Sequence, residues 1–98
     1  MAKTDRTEIE NVLQPGKTYR VDAEKFAAMR DAVLAELPGD QPGLTPAELK
    51  MRVLRRLPEA LFPGGDKAGW WLKAVQLDLE AKRVIARAPT APVRLHRL

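Results

Sequence analysis

The sequence predicts an α+β domain: a short N-terminal strand, three helices and a C-terminal β-hairpin. Three observations carry this. Two segments show apolar residues at helical spacing between clear caps and prolines, a third helical segment begins at paired tryptophans, and the last fifteen residues alternate on either side of a proline-rich turn. A chain of 98 residues, 45% hydrophobic and 31% charged, supplies one small core and not two.

The elements follow in order. In QPGK, Pro15 presets φ for a turn and Gly16 accepts the positive φ that a type II turn needs next, so the chain reverses there. TYRV, 18–21, reads as a short strand, and residues 1–17 are set apart as an N-terminal segment ahead of a domain of 18–98. Asp22 is a suitable N-cap for a first helix over 23–37, with Phe26, Met29, Val33 and Leu37 on one stripe and Pro38-Gly39 at its end. In LTPAELKMRVLRRLP, Thr45 caps, Pro46 takes the first helical position and Glu48 completes a capping box. Leu49, Val53, Leu54 and Leu57 are the expected buried face of this second helix, which Pro58 stops.

PEALFPGG connects to a third helix that opens at Gly65 or Asp66 and runs to about Lys82. At about 100° per residue, Ala68, Leu72, Val75 and Leu79 share one stripe with Trp71 at its edge. Trp70, Ala74, Leu77 and Ala81 make a second apolar stripe on the far side, to be covered by the N-terminal segment (Ile9, Val12, Leu13), by the hairpin or by another copy of the chain. VIAR and VRLHRL flank APTAP as a hairpin whose tip Pro89 and Pro92 stiffen. Alternation turns Val93, Leu95 and one of Val84 or Ile85 inward, and Arg87, Arg94 and His96 outward.

With GLTPAEL opening the second helix and DLEAKRVIAR joining the third to the hairpin, residues 22–98 resemble a winged helix-turn-helix domain. Two features depart from that pattern. The link from Pro58 to Gly65 is longer than a tight helix-turn-helix turn, and the third helix exits through Lys82-Arg83 where glycine takes the left-handed cap more readily. The strings PGKTYRVD, LFPGGDKAGWW and VQLDLEAK are similar to those of a family of small, functionally unassigned bacterial proteins, a resemblance that implies no activity.

Charge narrows the function classes. Residues 1–49 hold 6 Lys/Arg against 9 Asp/Glu, and residues 50–98 hold 11 against 4. A basic half is the footprint of a surface that faces phosphates, or simply of solvated helices. The candidate contacts to double-stranded DNA are Arg52 and Arg55 on the second helix, Lys67 and Lys73 on the third, and Arg83, Arg87, Arg94, His96 and Arg97 in and around the hairpin. The glycine turn and free amides near Lys67 could hold a phosphate oxygen, with capping by Asp66 as the plainer reading. Asp78 and Glu80, on the same helix, would repel phosphate. Trp70, Ala74 and Leu77 are the candidate interface of a homodimer or adaptor. The leading expectation is a non-enzymatic DNA-binding protein that contacts mainly the phosphate backbone, as a transcriptional regulator would. The alternative is a protein-interaction module on the same fold.

Catalysis is disfavoured. The chain has no serine and no cysteine, and its single histidine, His96, has neither a second histidine for a metal site nor a carboxylate near it in sequence. PGGDKAG lacks the spacing and the Lys-Ser/Thr of a P-loop. No cofactor or metal is implied. No apolar run reaches the roughly 20 residues of a membrane span, and MAKTDRTEIE is too charged for a signal peptide, so a cytoplasmic protein is expected.

Overall fold

The computed structural model describes residues 5–89 and 91–98. Strands β1 (Arg6–Glu10) and β2 (Thr18–Asp22) lead into helices α1 (Ala23–Glu36), α2 (Pro46–Leu54) and α3 (Ala68–Ala81), and strands β3 (Ile85–Ala88) and β4 (Arg94–Arg97) close the chain. The strands form two separate antiparallel hairpins, β1 with β2 and β3 with β4.

The N-terminal hairpin corrects the expectation of a lone strand. Gly16 takes φ 88° in the reversal, and the arms meet in the register Thr7↔Val21 and Ile9↔Tyr19. Residues 6–10 of the N-terminal segment are therefore paired with the strand that opened the expected domain, whereas residues 1–4 lie outside the described residues. In RTEIE only Ile9 is buried, and a single inward apolar residue leaves no alternation to detect.

Helix α1 forms as its spacing requires. Asp22 accepts a hydrogen bond from the Lys25 amide at 3.0 Å, and Phe26, Met29, Val33 and Leu37 all enter the core. Helix α2 opens on the capping box: the Glu48 amide donates to Thr45 Oγ1 at 3.2 Å and the Thr45 amide to Glu48 Oε1 at 2.9 Å. It ends three residues before the expected Leu57. Pro58 disfavours helical backbone in the residue before it, and the chain tightens instead, with the Arg56 amide donating to the Val53 carbonyl. Leu49 and Val53 are fully buried, but Leu54, expected inside, stands at the surface.

The core lies where α1, α2, β1 and β3 all pack on α3. Consequently α3 is buried almost all round in its middle: Val75 through Leu79 are inside without a break. Its C-terminus is a Schellman turn, in which the Val84 amide donates to the Leu79 carbonyl and the Arg83 amide to the Glu80 carbonyl. Arg83 occupies the left-handed position, φ 59°.

In the C-terminal hairpin, Ile85 and Leu95 face the core, as alternation requires. Thr90, in the APTAP turn, lies outside the described residues. The loop between α1 and α2 lies along β4, where Leu44 and Leu95 exchange backbone hydrogen bonds at 2.9 and 2.7 Å. Gly43 makes this approach feasible, since a Cβ there would sit 1.8 Å from the Leu95 carbonyl oxygen. The same loop covers His96, which is only 6% exposed where the sequence turned it outward.

Candidate functional site

Helix α3 presents one exposed strip. Gly69, Trp70 and Lys73 face solvent, with Lys67 just before them at the N-cap. The remainder of the helix is committed. Asp78, expected to be a surface charge, is completely buried, with its carboxylate accepting from the Glu10 amide at 2.8 Å and from Lys82 Nζ at 2.9 Å. Glu80 pairs with the Arg87 guanidinium, which holds the Arg87 pKa above its ordinary value. The two acids that would repel phosphate are therefore each tied to a cation, and neither lies on the strip.

The start of α3 is built differently from expectation. Asp66 does not cap: the N-cap is Lys67, in left-handed backbone at φ 58° with no side-chain cap hydrogen bond. Nor is the glycine turn open to an anion, because the Gly64 amide donates to Glu59 Oε2 at 2.7 Å and the Gly65 amide to the Phe62 carbonyl. What remains near the helix start is charge. Lys67 is exposed, and Lys50 of α2 reaches across so that its Nζ would stand 3.4 Å from a Cβ on Gly69. Lys50 and Lys73 line the cleft between α2 and α3 together. Sequence reasoning missed Lys50, which lies about 100° from Leu49 and about 60° from Val53 on its own helix; only the crossing of α2 over α3 brings it to the site.

The opposite side of the strip is an apolar groove of about 440 Å3 between α3 and the N-terminal hairpin. It is lined by Ile9, Val21, Ala74 and Leu77, by the exposed aromatics Tyr19 and Trp70, and by Glu10, Asn11, Arg20 and Lys73. Here the three candidate interface residues separate. Leu77 is buried under β1, with its carbonyl accepting from the Val12 amide at 3.3 Å, and Ala74 is half-buried. Trp70 alone stays open at 58% exposure, its indole set nearly perpendicular to that of Trp71 at 83° and 5.0 Å between ring centres. Trp71 packs in the core, its ring also nearly perpendicular to that of Phe62 at 6.4 Å between ring centres.

The remaining sequence candidates do not converge on this strip. In the C-terminal hairpin, Arg94 Nη1 donates to the Gly43 carbonyl at 3.2 Å and lies 3.5 Å from Glu48, while Arg97 Nε donates to the Leu37 carbonyl at 2.8 Å. These arginines fasten the hairpin to the helical layer, and His96 is buried beside them with Nδ1 lacking a partner among the described residues. Arg52 and Arg55 lie on the α1 side of α2. There they act with the Arg56 hydrogen bond to lower the Glu36 pKa. Among the described residues, Lys50, Arg52, Arg55, Lys67, Lys73 and Arg83 make no ion pair and no side-chain hydrogen bond. No helix among the described residues is long and apolar enough to cross a membrane.

The family described as a family of unknown function (DUF6958) matches residues 6–95. No curated protein and no solved structure matches the chain.

Proposed function

We propose, from the premise that this chain belongs to the DUF6958 family of unknown function, that it binds DNA without catalysing a reaction, chiefly through the phosphate backbone. The observation that carries this reading is the division of charge on α3. Its carboxylates are neutralised internally, and the cations left free, Lys67 and Lys73 with Lys50 beside them, flank its one exposed strip. Free ammonium groups on one surface release counterions from phosphates, which makes binding strongly salt-dependent and largely independent of sequence. A winged-helix frame goes with this reading: the Leu44–Leu95 bridge sets a third strand position beside the C-terminal hairpin, and the exposed strip of α3 would be the presented face. Transcriptional regulation in the cytoplasm is the setting such a protein would have.

One observation favours the interaction module as a second reading. Trp70 and the groove of about 440 Å3 beside it form an open, largely apolar surface, and a homodimer or an adaptor contact would cover them. Titration of a labelled duplex at low and moderate salt, followed by anisotropy, separates the readings. DNA binding should appear at micromolar protein and weaken steeply with salt. Absence of binding at low salt, together with a dimer in sedimentation, would leave the interaction reading standing.

A further inference from the structure

We infer that the α3 strip recognises unpaired bases, with Trp70 stacking on a base of single-stranded nucleic acid while Lys67, Lys73 and Lys50 hold the neighbouring phosphates. The inference rests on the nucleic-acid reading above and names its ligand class. Base edges in a duplex are read by arginine, lysine, asparagine and glutamine, and of these the strip carries only lysine, a point charge without the fixed fork of a guanidinium. Gln76, the one amide of α3, is 3% exposed, and its Nε2 donates to Glu80. Apart from lysine ammonium groups, what α3 offers to a base is an indole surface.

Base faces are hidden in a duplex and open in a single strand, where an aromatic platform flanked by cations is the recurrent means of capture. Trp70 meets both conditions. It is more than half exposed, held in place against Trp71, and has Lys73 one turn along the helix and Lys67 one turn before it. The groove beside it is largely apolar, suited to the face of a base, and its charged lining is Lys73 and Arg20, which would meet the adjoining phosphates, with Glu10 as its one acid. The free lysines of the strip are complementary in charge to a nucleic-acid strand.

The test titrates the full chain, at one salt concentration, with three probes: a short oligothymidylate, a duplex of equal length, and an abasic strand that keeps the phosphates and lacks the bases. The oligothymidylate should quench tryptophan emission and bind about tenfold or more tightly than the other two. Trp70→Ala should weaken oligothymidylate binding by about 5- to 150-fold, the range that loss of one stacked base implies, and leave duplex binding within about twofold. Trp70→Phe should recover part of the loss. Equal affinity for the three probes, or an unchanged oligothymidylate affinity in Trp70→Ala, overturns the inference and leaves phosphate binding intact. No binding of any probe at low salt overturns both, and a stable dimer with Trp70 shielded from an aqueous quencher overturns the stacking inference alone.

Discussion

Arg83 holds left-handed backbone at the end of α3, where a Cβ crowds the carbonyl and glycine is favoured. Its guanidinium has no partner among the described residues, so Arg83→Gly removes strain without removing a contact. It should stabilise the fold by about 1 kcal/mol, seen as a rise of several degrees in Tm. Asp78 is the opposite case. Its buried carboxylate ties the Glu10 amide of β1 to α3, and Asp78→Ala strands that amide and leaves Lys82 unpaired. The expected cost is about 2–3 kcal/mol in urea denaturation, with faster amide exchange in β1 than in β3. The sequence made Asp78 a surface acid because its partner is a backbone amide 68 residues away, a contact with no trace in local spacing. The left-handed turn at Arg83 was legible, since the helix had to end there and no glycine stood by.

Elements bounded by strong local signals formed as the sequence indicates. The Asp22 cap of α1, the Thr45–Glu48 box of α2 and the Leu95 alternation of the C-terminal hairpin are local. Those that depend on a distant partner were not legible: β1 exists because β2 and α3 receive it, and His96 is buried because the loop carrying Gly43 folds over it. Gly43 is the sharpest test of that loop. Gly43→Ala would bring a methyl group to 1.8 Å from the Leu95 carbonyl oxygen in backbone at φ 90°, so the Leu44–Leu95 bridge must open at a cost of about 2 kcal/mol or more, measured by thermal melting. Acid should act on α1 and α2. The Arg56 hydrogen bond lowers the Glu36 pKa, and the Thr45 backbone amide lowers the Glu48 pKa, each from an ordinary value of 4.5. Their contribution is complete above that value and is lost as pH falls through the lowered folded values. Tm should therefore hold from pH 7 to about 5 and decline below about 4.5, and the decline should shrink in Glu36→Gln.

Taken whole, the molecule uses its basic half for two purposes. Arg87, Arg94 and Arg97 are internal fasteners of the C-terminal hairpin, whereas the lysines of α2 and α3 are free. Sequence alone gave Lys67, Lys73 and the hairpin arginines the same standing and passed over Lys50, because charge patterning counts residues and does not see which carboxylates and carbonyls they meet. It did separate the tryptophans, through the roughly 100° between neighbours on a helix, and the structure puts Trp71 in the core and Trp70 in the open. The central claim is that free α2 and α3 lysines, and not hairpin arginines, face phosphate. Its most direct test is the dependence of duplex affinity on salt in two variants, one with Lys50, Lys67 and Lys73 changed to alanine and one with Arg87, Arg94 and Arg97 changed to alanine. The lysine variant should lose about 2 to 3 from the slope of log affinity against log salt and keep its Tm, while the arginine variant should keep the slope in its folded fraction and lose stability. An unchanged slope in the lysine variant, or a slope lost only in the arginine variant, would contradict the account.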